Sequence, residues 1–177
     1  MVRDSQAVER EDQIIDPMLR QVFAYWQAKA VARGGLPARA DIDPVDLGAT
    51  LPAIGLIEVR RDAADGSGRL RYRVMGSLQV EIMGRDATGE LIDLGSAEDD
   101  AAAAAIATGH PIHAERKFSP ANGVALAFEA LVCPLAADGR TVDMLLTAVA
   151  PHYQPKDLPA GRVSRFARAA MGTMRRR

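Results

Sequence analysis

Three groups of residues in this sequence are of types that do chemistry. The first is His110-Pro111-Ile112-His113 followed by Glu115. Two imidazoles and a carboxylate are adequate metal ligands, but a site requires that they converge. His113 and Glu115, two apart in a strand pattern, share a face, whereas His110 sits in the turn before them. Haem would require an axial histidine in a shielded apolar pocket. Polar residues on a wet strand face need neither geometry, so no metal site is assigned, the cofactor is left unnamed, and His113 is kept as a candidate cavity residue. The second group is Cys133 alone, in Leu131-Val132-Cys133-Pro134-Leu135, where a thiol behaves as a small buried hydrophobe. The third is Arg71 and Arg73, which alternate with Tyr72 and put two guanidinium groups on one strand face. They suit an acidic ligand or a structural clasp on Asp41 and Asp43, and the clasp is the commoner use of half-buried arginines.

Other chemistry is argued against by what the sequence lacks. It has no Gly-x-Ser-x-Gly, phosphate loop, Cys-x-x-Cys or His-Glu-x-x-His, so no enzyme is expected. Asp99-Asp100 reads as negative charge at a helix start. Arg162, Arg165, Arg168 and Arg175-Arg176-Arg177 form the basic concentration of the chain, and Phe166 alone is too little aromatic surface for a nucleic-acid stacking platform. An ordinary basic helix with a solvated face is expected there, with no nucleic-acid partner.

These residues must be positioned by a chain of 177 residues with 48% apolar and 25% charged content and a formal net charge of -1. That length fits one domain with flanking helices, and the balance of charge gives no global preference for polyanions. A lone cysteine rules out an internal disulfide and any multi-cysteine metal site. With no apolar window long enough to cross a bilayer and no export pattern, a cytoplasmic protein is expected.

Residues 1–13 are polar, mixed in charge and without period, and are expected to be a disordered tail. Residues 14–35 read as an N-terminal helix: Asp16-Pro17 is a cap-and-start pair, Leu19, Val22 and Trp26 recur at helical spacing, and Gly34-Gly35 stops the run. Its aromatic stripe either covers a sheet or meets a partner, and Leu19, Val22 and Trp26 are taken as a candidate partner surface. Residues 36–153 hold the main domain. Two prolines, Pro37 and Pro44, force a wrapped path, Ile54 to Arg60 and Leu70 to Val74 read as a hairpin, and Gly76 and Gly84 bracket a short helix. An alanine helix closed by Gly109 leads to strands at 112–119, 124–135 and 141–150 joined as a meander. Residues 154–177 form the basic C-terminal helix.

Two strands, short helices and a three-stranded meander, together with specific residues, resemble the PAS domain family, in particular the bacterial stand-alone type first catalogued as a domain of unknown function. The resemblance rests on Tyr25-Trp26, the stretch from Leu36-Pro37-Ala38-Arg39 to Asp43-Pro44, Leu51-Pro52, Arg71-Tyr72-Arg73, Gly76, Gly84, Thr88-Gly89 and Pro134-Leu135. It spans roughly Val22 to Ala150, and several separated motifs are more specific than any one of them. Where that family tends to have Gly-Thr, this chain has Gly76-Ser77, which keeps the hydroxyl. The light-sensing relatives carry their reactive cysteine in an Asn-Cys-Arg context that Cys133 lacks.

The resemblance implies an α+β fold: a five-stranded antiparallel sheet with short helices on one face and a small cavity between them. Tyr72, Val74, Ile82, Met83, Phe118 and Phe128 are core residues that would also line that cavity, with His113 beside them. The function implied is that of a sensory or adaptor module in bacterial signalling, binding a small molecule or a protein, as a homodimer or with a signalling partner through the N-terminal helix. Fold alone does not decide this. A haem- or metal-dependent sensor or enzyme using His113, and a purely structural interaction module, are the alternatives.

Overall fold

The first helix begins where Asp16-Pro17 predicts. The Asp16 carboxylate accepts from the backbone N–H of Met18 (2.8 Å) and Leu19 (3.1 Å), and proline occupies the first turn of α1 (Pro17–Arg33). Gly34 ends it in the left-handed conformation, at φ 71°. The same chemistry starts α2 (Pro44–Leu47), where the Asp43 carboxylate accepts from Val45 N–H at 2.8 Å. Gly76 and Gly84 bracket α3 (Ser77–Met83), and α4 (Asp100–Thr108) is the alanine helix. This computed structural model describes residues 3–61, 68–93, 100–118 and 126–152, without the side chains of residues 3–5, 117, 118 and 126. The expected helix over 154–177 lies outside the described residues.

The strands are β1 (Arg3–Ala7), β2 (Ile54–Arg60), β3 (Arg69–Met75), β4 (Leu91–Asp93), β5 (Ile112–Phe118), β6 (Leu126–Leu135) and β7 (Met144–His152). They form one antiparallel sheet in the order β1-β5-β6-β7-β2-β3-β4. Five strands were expected, and the described residues form seven because a short strand is added at each edge. One of them corrects the reading of residues 1–13 as a tail: Arg3 to Ala7 pair with β5, and Val8 behind them is buried. An edge strand needs only backbone partners, so a polar segment without apolar alternation can still supply one.

Both faces of the sheet are covered, and alternate residues of one strand serve opposite cores. On the outer face, Leu131, Cys133 and Leu135 of β6, Leu146 and Ala148 of β7, and Ile54 and Leu56 of β2 meet Leu19, Val22, Phe23 and Trp26 of α1. On the inner face, Val132, Leu145, Ile57 and Val59 meet Leu70 and the α4 alanines Ala101, Ala102 and Ala105. Double-sided burial is why β6 reads as a nearly continuous apolar run.

Leu19, Val22 and Trp26, taken from sequence as a partner surface, are therefore spent within the chain. They are 0%, 1% and 7% exposed, and the Trp26 indole N–H donates to the Pro134 carbonyl at 2.9 Å. Burying each such side chain contributes about 1.5–3 kcal/mol, which the outer face of the sheet supplies without a second molecule. The helix is thus part of the same core as the sheet.

Candidate functional site

The inner face, between the short helices and the sheet, holds the candidate site. Its floor can be read from the strand register. One row runs Ile112, Val132, Thr147, Gly55, Met75, and the next runs Ala114, Ala130, Val149. Gly55, Ala114 and Ala130 make this floor shallow, and Ala101, Ala102 and Ala105 roof part of it with side chains that are just as small. Two polar groups flank it. Gln79 of α3, 6% exposed, lies over Gly55 and its amide donates to the Ala53 carbonyl (3.0 Å) and to Thr147 Oγ1 (3.0 Å). A Cβ on Gly55 would stand 2.3 Å from Gln79 Oε1, so glycine there is what admits the amide. On the other side, Arg116 of β5 lies opposite Phe128 and pairs with Asp100 at the start of α4, its side chain only 13% exposed. Small apolar walls with a few fixed polar groups are the composition of a small-molecule site.

The cavity candidates from sequence divide between the two faces. Ile82 is buried with Leu78, Ala53 and Val149, and Phe128 packs half-buried beside them. Tyr72, half-buried, belongs to the α4 side of the same face, and Met83 is half-buried at the end of α3. The Phe118 side chain is outside the described residues. Val74 is a correction: it is 47% exposed, and pairs with outer-face Leu56. A bulge explains it, since Leu56 pairs with Val74 but the next residue, Ile57, pairs with Tyr72. The extra residue, Arg73, flips every later side chain of β3 to the other face.

His113 is a second correction. It is on the outer face, 4% exposed, with Nε2 2.8 Å from Oε2 of the fully buried Glu129. It therefore does not border the inner-face site, because β5 alternates and Ile112 and Ala114 take the inner positions. Among the described residues no cluster of three His, Cys, Asp or Glu side chains is placed to hold a metal ion.

The clasp is a third correction. Asp41 pairs with Arg33 of α1 at 2.8 Å and accepts from Ala38 N–H at 2.8 Å, while Asp43 caps α2. The Ala38 N–H, with Arg33 behind it, holds the Asp41 carboxyl below its ordinary range. Arg73 turns to Glu58 on the neighbouring strand, at 3.5 Å. Arg71 sits half-buried opposite Glu58 in the same ladder. The wrapped segment lies against α1, where Tyr25 also accepts from Asp43 N–H (2.8 Å), so its charges are met by α1 and not by β3. Cys133 is fully buried on the outer face, and burial pushes its thiol up, away from reactivity.

Gln79, Thr147, Gly55, Arg116 and Glu129 were not selected from sequence. Two signals were present: Arg116 interrupts an otherwise apolar strand face, and Glu129 sits inside Phe128-Glu129-Ala130-Leu131-Val132. A charge within a strand buried on both sides must have a partner.

No helix among the described residues is long and apolar enough to cross a membrane. A family model described as PAS domain matches residues 15–150. No match is found among curated proteins. Among solved structures, an RNA-binding light-oxygen-voltage receptor is similar at 19% identity and a TM-score of 0.42, over 66% of this chain and 36% of its own.

Proposed function

Since the chain belongs to the PAS domain family, we propose that it is a sensory or adaptor module that takes a small molecule on the inner face, between α3, α4 and the sheet. The observation that carries this is the inner-face floor of Gly55, Ala114 and Ala130, flanked by the Gln79–Thr147 pair and the Arg116–Asp100 pair. Those polar groups pair with one another at present, and a ligand with a hydrogen-bonding or acidic edge would exchange into one of the pairs. The proposal assigns no catalytic step to the chain.

The route for a response follows from the alternation in β6 and β7. Val132, Ala130, Thr147 and Val149 face the site, while Leu131, Cys133, Leu146 and Ala148 of the same strands seat α1. A shift of either strand is felt on both faces, because a close-packed core transmits displacement. A signalling protein or a second copy of the chain would read that change at a surface other than the Leu19, Val22 and Trp26 stripe.

Native mass spectrometry of the protein as purified, beside Ala130→Leu, tests the reading. The wild type is expected to retain or take up a small molecule that the filled floor of Ala130→Leu rejects while remaining folded. The reading fails if the two proteins bind the same compounds equally, or if the wild type binds none and Ala130→Leu is the more stable of the two.

A further inference from the structure

An ionisable cluster on the outer face is used by neither the inner-face site nor the family's common architecture of sheet and helices. Glu129 is 0% exposed. Its Oε2 is 2.8 Å from His113 Nε2 and 3.3 Å from the backbone nitrogen of Asp16, the residue that caps α1. Its Oε1 is 2.8 Å from His152 Nε2 but accepts no hydrogen bond from the described residues. His152, on the last residue of β7, is 43% exposed at its side chain, whereas His113 is buried.

Among the described side chains, the other charged groups near Glu129 form no ion pair with it. Glu115 of β5 is its direct cross-strand neighbour and is exposed, adding negative charge. Asp16 turns its carboxylate onto Met18 and Leu19, and Arg20 of α1 donates through Nε to the Ile14 carbonyl at 2.5 Å. Lys117 lies opposite Ala127 in the register of β5, with its side chain outside the described residues. The described ion-pair partners of Glu129 are thus the two imidazoles. A carboxylate removed from water needs a cation or a proton, and imidazole is the side chain that gains and loses its charge near neutrality.

We propose that His113, Glu129 and His152 form a proton-binding site that latches the start of α1 to the sheet. With an imidazole protonated, the carboxylate is charge-paired and holds the Asp16 amide on Oε2. With both imidazoles neutral, the buried carboxylate loses its described ion-pair partners and the start of α1 loses its anchor. The direction follows from the pairing: an imidazole carries its charge on the acid side of neutrality and loses it above, so docking is strongest on the acid side and weakens as pH rises. This gives the module a response to pH that is separate from any ligand on the inner face.

Trp26, the single tryptophan of the chain, is buried on α1 and reports the latch directly. Acrylamide quenching of its emission is measured on the full chain from about pH 5.5 to about pH 9, a range that brackets the ordinary titration of imidazole. Quenching is expected to rise about twofold across that range, reversibly and with unchanged far-ultraviolet circular dichroism, and to be flat in Glu129→Gln. A flat wild-type profile, or the same profile in Glu129→Gln, overturns the proposal. Should Glu129→Gln not fold, His152→Gln, altered at the half-exposed ring, decides: a reduced pH response supports the latch and an unchanged one overturns it.

Discussion

Replacing Gly55 with alanine tests the inner-face geometry with a single methyl group. An added Cβ would stand 2.3 Å from Gln79 Oε1, 2.6 Å from Thr147 Oγ1 and 2.9 Å from Gln79 Nε2. All three are the ends of side chains, so the clash is relieved by moving the Gln79 amide and not by breaking the strand. The move forfeits its bonds to the Ala53 carbonyl and to Thr147, both 3.0 Å long. Each is worth about 1 kcal/mol net, with a further penalty of similar size for a buried carbonyl left unpaired. Alanine in a strand returns about 0.5–1 kcal/mol of backbone entropy. The net expectation is a loss of about 2–2.5 kcal/mol. Urea unfolding followed by circular dichroism and by Trp26 emission measures it. Gln79→Ala removes two of the three close contacts, so Gly55→Ala added to it should cost at least about 1 kcal/mol less than it does in the wild type. A neutral or stabilising Gly55→Ala, or strict additivity in this double-mutant cycle, refutes the placement of Gln79 over Gly55.

Three further outcomes are expected. Gly76→Ala places a Cβ 2.3 Å from the Pro52 carbonyl oxygen and 2.6 Å from that of Ile54, which are backbone atoms that cannot rotate away, so its melting midpoint should fall below that of Gly55→Ala by an amount corresponding to about 1–3 kcal/mol. The Cys133 thiol, buried and shifted upward by burial, should be inert to an aromatic disulfide reagent in the native protein and react fully in denaturant; rapid native labelling would contradict its position on the outer face. Asp138 accepts from the Arg140 and Thr141 N–H groups, which hold its carboxyl down to about 2. Because the folded value is depressed, the stabilisation is present above the ordinary carboxylate range and is lost as pH falls toward about 2, so Asp138→Ala should melt below the wild type at neutral pH and level with it near that limit, read by calorimetry at both.

Local chemistry made much of this fold legible in the sequence. Asp16-Pro17 and Asp43-Pro44 each start a helix, Gly34, Gly84 and Gly109 each end one at positive φ, and the hairpin from Ile54 to Met75 forms as its alternation predicts. The resemblance read from Tyr25-Trp26 to Pro134-Leu135 is matched by the family assignment over residues 15–150. What was hidden depends on relations between distant residues. A one-residue bulge at Arg73 sent Val74 outward, which no alternation pattern can announce. Edge strand β1 was hidden because its partner, β5, lies more than a hundred residues away and its own side chains carry no apolar period. His113 was placed in the cavity because a strand's parity does not say which face meets which helix. The sheet order, with β5 beside β1 and β6, sets His113 against Glu129 instead. The clasp failed for a like reason: Arg33, eight residues from Asp41, reaches it before β3 can.

The claim at the centre of this account is that a ligand enters on the inner face, opposite α1. Alanine-methyl NMR of the intact chain, titrated with a set of small acidic and amide-bearing fragments, separates the two faces because alanines mark both. Ala114, Ala130 and Ala105 report the inner face, and Ala148 and Ala150 the outer. Saturable shifts are expected that begin at Ala114, Ala130 and Ala105 and are smaller at Ala148 and Ala150. Shifts that begin at Ala148 and Ala150 and leave the inner three unmoved would contradict the claim.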